Sequence, residues 1–162
     1  MVNAFAVLQS ATAAILGYVS ITQLPGDCGK AVIHANLTGV SPGRHGFHIH
    51  QYGDLSNGCD SLGGHYNPFN RTHGAPTDQN RHVGDFGNIE VGEDGTANFT
   101  LTLDKVYLEG PYSVLGRGIV LHNGTDDLGK GGNPTSLENG NAGSRLACGV
   151  LGAVNPNVTH WA

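Results

Sequence analysis

The stretch His45-Gly-Phe-His-Ile-His50 places three imidazoles within six residues, and it restricts what the surrounding chain can become. As a β-strand its side chains alternate between two faces. His48 and His50 then share one face, while His45, Phe47 and Ile49 share the other. The first pair offers two imidazoles to one point in space, as metal ligands do; the competing reading is an exposed polar face. His45 falls among apolar neighbours and reads as a satisfied core histidine.

The rest of the chain reads as short strands between turns. Residues 4–8, 15–21 and 31–37 are strand candidates, and 96–103 alternates cleanly, with Ala97, Phe99, Leu101 and Leu103 on one face. Pro25-Gly26-Asp27, Ser41-Pro42-Gly43 and Glu93-Asp94-Gly95 are turn chemistry. Residues 117–122 and 146–151 are short apolar strands. No helical periodicity of any length and no internal repeat is evident. The 26 glycines lack a collagen-like period and fit many turns. This pattern predicts one all-β domain over residues 1–162, an antiparallel sandwich or barrel. Two segments, 51–81 and 123–145, are long and strand-poor, as functional loops are.

Charge narrows the partners. The net charge is −5 with only eight Lys and Arg, which argues against nucleic acid, whose phosphates call for clustered basic residues. No apolar run is long enough to span a membrane. Residues 1–26 carry no charged side chain, but they lack the positive segment of a signal peptide and break at Gly17 and Gln23, so they read as two strands, with a signal peptide as the lesser alternative. Five N-x-[S/T] triplets begin at Asn36, Asn70, Asn98, Asn123 and Asn157 and lean towards a secreted, glycosylated protein, with a cytoplasmic one as the alternative. Three cysteines, Cys28, Cys59 and Cys148, allow one disulfide in three pairings. The absence of C-x-x-C disfavours a thiolate zinc site.

Beyond the hexapeptide, His65 and His73 fall in the first long segment, His82 and Asp85 close it, and His122 opens the second. With His48 and His50 these make six imidazoles and one carboxylate. Imidazole suits zinc and copper, and a carboxylate among imidazoles suits four-coordinate zinc. Seven ligands are one short of two four-ligand sites; one imidazole can serve both metals through its two nitrogens once it loses both ring protons, and spacing alone does not say which. His34, on a polar face, and His160, in the tail, read as solvated histidines.

In order along the chain run His45-Gly-Phe-His-Ile-His50, Gly53-Asp54, Asn57-Gly58-Cys59, Gly64-His65-Tyr66-Asn67-Pro68, His73-Gly74-Ala75-Pro76, Arg81-His82-Val83-Gly84-Asp85, Asp126-Asp127-Leu128-Gly129-Lys130 and Gly140-Asn141-Ala142-Gly143-Ser144-Arg145-Leu146-Ala147-Cys148-Gly149. Over roughly residues 4–153 this series resembles copper/zinc superoxide dismutase. The resemblance implies an eight-stranded antiparallel Greek-key β-barrel with two long functional loops. It implies copper held by His48, His50, His65 and His122, and zinc held by His65, His73, His82 and Asp85, with His65 bridging. It makes Asp126 the outer carboxylate joining a copper histidine to a zinc histidine, with His45 in the same outer shell, and puts Arg145 beside the copper channel as the anion contact. His65 would take up a proton in the reduced half-cycle. It pairs Cys59 with Cys148 and leaves Cys28 as a free surface thiol, in a turn, Asp27-Cys28-Gly29, that is similar to secreted invertebrate members.

The implied activity is dismutation of superoxide to oxygen and hydrogen peroxide by one-electron copper cycling, with zinc structural. The implied partners are superoxide, a second copy of the chain and a copper chaperone for metal loading. Tyr52, Gly53, Leu115, Gly116 and Ala153 match the family's dimer patch. The chain departs from the family in its outlying charges. Pro134, Thr135 and Glu138 stand where an acidic pair and a lysine are usual, Asn139 stands for a threonine, and Gly124 for a basic residue. The alternatives are a copper-holding or copper-delivery protein without turnover, and a silent adhesion-type sandwich.

Overall fold

A computed structural model describes residues 2–26 and 29–157. Eight antiparallel strands form one nearly closed barrel: β1 (Asn3–Gln9), β2 (Leu16–Gln23), β3 (Ala31–Thr38), β4 (Gly43–Ile49), β6 (Asp85–Val91), β7 (Thr96–Leu103), β8 (Gly118–His122) and β9 (Arg145–Val150). They lie in the order β6-β4-β8-β9-β1-β2-β3-β7, so β3→β4 and β7→β8 cross between the halves in Greek-key fashion. Two short strands complete the set, β5 (Ser56–Cys59) in the first long loop and β10 (Gly152–Ala153), which pairs with β1. The strand alternation visible in the sequence is realised in the core: Ala4, Leu8, Val19, Ile21, Ile33, Leu37 and Ala97 all point inward and are buried. Each fully buried Val, Leu or Ile contributes about 1.5–3 kcal/mol. Phe47 and Ile49 join the same core from β4, which leaves His48 to the opposite face.

Besides β5 and β10, three elements were not expected from the sequence. β6 alternates only in its second half, because Gly87 adopts φ +75° and the register with β4 slips between Gly46 and His48. Beyond that bulge the ladder resumes with Asp85 paired to His48, and the Asp85 carboxylate meets His65, His73 and His82. A 3₁₀ turn covers Asp60–Leu62. The helix α1 (Pro134–Asn139) lies in the second long loop. Its signals are local: Pro134 at the first turn, the Asn133 side chain accepting from the Ser136 amide at 2.9 Å, and Gly140 closing the end in the left-handed region. Six residues are too few to show a helical period. His34 is on the outer face, 3.3 Å from Thr100 Oγ1, as its alternation suggested. The readings of Cys28 and His160 lie outside the described residues.

Candidate metal centre

Strand ends and loop anchors bring the seven ligand candidates together. β4 supplies His48, and His50 follows it in a bridge with His65. His122 ends β8, and Asp85 begins β6. The His73 amide donates to the Leu137 carbonyl of α1 at 2.8 Å, tying the two long loops together. His48, His50, His65 and His122 form one buried set, and His65, His73, His82 and Asp85 a second, with one ligand atom from each residue lying within 4.8 Å of the others. His65 belongs to both sets.

The outward nitrogens define the inward ones. A carbonyl only accepts, so a ring nitrogen bonded to one carries the proton and leaves the other nitrogen bare. His50 Nδ1 donates to the Gly63 carbonyl at 2.8 Å, and His122 Nδ1 to that of Gly143 at 3.1 Å. Their bare Nε2 atoms therefore face each other at 3.3 Å with no proton between them. His82 Nε2 donates to the Arg71 carbonyl at 3.0 Å, leaving its Nδ1 bare and 3.1 Å from Asp85 Oδ1. Asp126 takes both remaining rings: Oδ2 accepts from His48 Nε2 and Oδ1 from His73 Nε2, each at 2.7 Å. The third cluster of possible ligands, His48, His73 and Asp126, is thus a set of hydrogen bonds that orients the other two. His48 Nδ1 and His65 Nε2 are buried without a hydrogen-bond partner, and His73 Nδ1 meets only Asp85 Oδ1, at 2.9 Å. Buried lone pairs converging on two points are costly unless a cation sits there, and the donor sets fit two metal ions.

Protonation follows the same geometry. Burial holds His48, His50 and His65 below the ordinary histidine range and brings His122 to about 4. Burial also opposes charge on His73, but the carboxylates of Asp126 and Asp85 outweigh it and raise this ring to about 9. Burial would raise Asp85 and Asp126, yet the imidazoles bonded to them hold both well below the usual carboxylate range. A stability dependence follows for the metal-free protein. His48, His50, His65 and His122 are depressed, so the unfolded chain, at about 6.5, binds more protons; their contribution is present above pH 6.5 and is lost on acidification. For His122 the loss runs from pH 6.5 down to about 4. His73 works in the opposite sense, its contribution being complete below pH 6.5 and lost as pH rises through about 9. Four rings outweigh one between pH 7 and 5. Chelator-treated protein should therefore melt lower at pH 5 than at pH 7, and an unchanged melting temperature would contradict this balance.

Arg145 begins β9, and its guanidinium donates to the Cys59 carbonyl at 2.6 Å and the Gly63 carbonyl at 2.5 Å. Gly63 O thus links Arg145 to His50. The Cys59–Cys148 disulfide, S–S 2.07 Å, joins the first long loop to β9 at the same place. Arg145, His50, His65, His122, Glu138 and Asn141 line a cleft of about 470 Å³ that opens onto the first ligand set. His45 is buried, its Nδ1 2.8 Å from the His122 carbonyl and its Nε2 2.8 Å from that of Ser41, so it steadies the chain that carries His122. Asn88 was missed by sequence reasoning. Its amide clasps the backbone of Asp126 from both sides, Oδ1 accepting from Asp126 N at 2.7 Å and Nδ2 donating to Asp126 O at 2.9 Å. Gly140 was also missed: a β-carbon there would collide with Asp126 Oδ1 and His73 Nε2.

Comparison with known proteins agrees with this geometry. A solved structure described as that of the clock protein EA4 is similar over 93% of this chain and 93% of its own, with 45% identity and a TM-score of 0.87. Residues 15–151 match the family model described as copper/zinc superoxide dismutase (SODC). With a match over most of its length, carrying both ligand sets, the chain belongs to the copper/zinc superoxide dismutase family.

Proposed function

We propose that this protein is a secreted copper/zinc superoxide dismutase that converts two superoxide anions and two protons into oxygen and hydrogen peroxide. The observation that carries the reading is the shared His65, whose two nitrogens face an all-imidazole set on one side and a set containing Asp85 on the other. The all-imidazole set suits copper, and the set with a carboxylate suits four-coordinate zinc. Copper bound there supplies one-electron redox chemistry, whereas zinc has none. The chain does the rest. Asp126 fixes the tautomers of His48 and His73, and the carbonyls of Gly63, Gly143 and Arg71 fix those of His50, His122 and His82. His65 Nε2, buried and without a hydrogen-bond partner, is an atom that can hold a proton for delivery to the cleft. Arg145 presents fixed positive charge beside His50 and His122 to draw in a small anion. The five sequons and the disulfide support secretion. Tyr52, 55% exposed, with Gly53, Leu115, Gly116 and Ala153, supports a homodimer patch. All four imidazoles of the copper set are present, which favours turnover over copper storage.

Superoxide decay with the copper- and zinc-loaded chain, compared with the zinc-only chain, tests the reading: acceleration is expected only with copper. The same assay reads the cleft's charge. Glu138 and Arg145 both line it, so their charges oppose each other. Charges beyond a Debye length of about 8–10 Å are screened at physiological salt, and Arg145 then carries most of the attraction. The rate of the natural chain should fall less steeply with ionic strength than that of Glu138→Lys. Arg145→Ala should slow the reaction and remove most of the remaining salt dependence. If the natural chain is as salt-sensitive as Glu138→Lys, a different basic group supplies the field. Arg81 is a poor candidate, being buried and paired with Asp104 at 2.5 Å, whereas Lys130 is exposed.

A further inference from the structure

The barrel has a face that the metal centre does not use. β1, β2, β3 and β7 pair in register, and their alternate residues 3–9, 16–22, 32–38 and 96–102 point outward, opposite the buried core positions. None of these outward residues is Asp, Glu, Lys or Arg. Val7 and Leu16 are 54% and 50% exposed. Phe5 stacks on Tyr18 with ring centroids 5.6 Å apart, and Tyr18 lies 6.0 Å from His34. A broad uncharged face carrying aromatic and aliphatic groups favours association unless something covers it.

Two sequons sit in the middle of this face. In a strand, residues i and i+2 point the same way, so Asn36 and Thr38 face outward together, as do Asn98 and Thr100. Asn36 and Asn98 are directly paired across β3 and β7, a separation of about 4.5–5.5 Å between β-carbons. They are not equivalent. Asn98 is exposed on β7, which ends the strand path, whereas Asn36 is partly covered on β3 between Tyr18 and Asn98. The other sequons within the described residues lie near the metal loops: Asn123 directly follows His122, and Asn70 lies between His65 and His73.

We propose that Asn98 is an N-glycosylation acceptor whose glycan screens this uncharged face, and that Asn36, lying under the same glycan, stays unmodified while Asn98 is occupied. The donor is an oligosaccharide linked through its reducing-end N-acetylglucosamine to a lipid diphosphate. Asn98 Nδ2 forms a bond to C1 of that sugar as the C1–O bond to the diphosphate breaks. The amide loses one proton and the lipid diphosphate leaves, with no change of oxidation state. This inference does not depend on the dismutase reading, because the face is remote from the ligand sets in the sheet order and contributes no residue to them.

The test directs the full chain through the secretory pathway of an insect cell. Trypsin cuts after Lys30, Arg44, Arg81 and Lys105, which places Asn36 and Asn98 on different peptides. Enzymatic release of the glycan turns an occupied asparagine into aspartate and marks it by mass. The Asn98 peptide should be marked in most molecules and the Asn36 peptide in few. Asn98→Gln should shift the mark to Asn36 or abolish it on this face, with the superoxide-removing rate per copper unchanged. The double variant Asn36→Gln/Asn98→Gln should precipitate at a several-fold lower protein concentration than the glycosylated chain. An unmarked Asn98, full occupancy of both asparagines in the same molecules, or a double variant as soluble as the glycosylated chain would overturn the proposal.

Discussion

His65→Ala is expected to weaken both metal sites at once, whereas His82→Ala is expected to empty only the zinc site. His65 belongs to both ligand sets, and His82 to one. Substituting an outer-shell partner alone typically costs about 10–100-fold in metal affinity, and removing a ligand should cost more. For His82→Ala the four imidazoles of the other set keep their anchors: His48 on Asp126, His50 on Gly63 O, His122 on Gly143 O and His65 on Asp85. Copper should therefore remain near one per chain while zinc falls below detection. The loop around Arg71 should also loosen, because its carbonyl loses the His82 ring. Metal content after equilibration against a mild chelator reads all three proteins. Equal loss of both metals from His82→Ala, with the fold retained, would contradict separate sites.

The second large effect concerns the disulfide. Cys59 and Cys148 are 89 residues apart, and closing such a loop stabilises the folded state by about 4–5 kcal/mol in the chain-entropy account. For a chain of this size, that corresponds to a fall of about 10–20 °C in melting temperature when both cysteines become serine. The bridge also packs against Leu62 and Val120 in a small apolar cluster of its own. Its second consequence is functional. The Cys59 carbonyl accepts from Arg145, so loosening the loop frees the guanidinium that faces the cleft. Cys59→Ser/Cys148→Ser should therefore lose superoxide-removing rate at temperatures where it is still folded. A melting temperature within about 3 °C of the natural chain would show that the loop is held by other contacts, since each kcal/mol is worth about 2–4 °C here.

Much of this was legible in the sequence because the strands obey a strict period. Residues 96–103 alternate without exception, and their inward residues enter the core. The hexapeptide separated Phe47 and Ile49 from His48 before any fold was known. What spacing could not supply was convergence. His65 as the shared ligand depends on a bridge to His50 and on the bulge after which Asp85 meets His65, and both are tertiary. Only the resemblance to the family pointed to it in advance. The helix α1 stayed hidden because its signals are caps, and its role emerged only from the Leu137 carbonyl bonded to His73. Asn88 was invisible for a similar reason, since its partner, Asp126, is 38 residues away.

The most direct test of the central claim is a product balance. The copper- and zinc-loaded chain is mixed with superoxide in large molar excess, and oxygen and hydrogen peroxide are both quantified. Dismutation requires equal amounts of the two products, together accounting for all the superoxide consumed over many turnovers per copper. A protein that only holds copper would consume about one superoxide per copper and stop, or would form one product without the other, and either result would contradict the account.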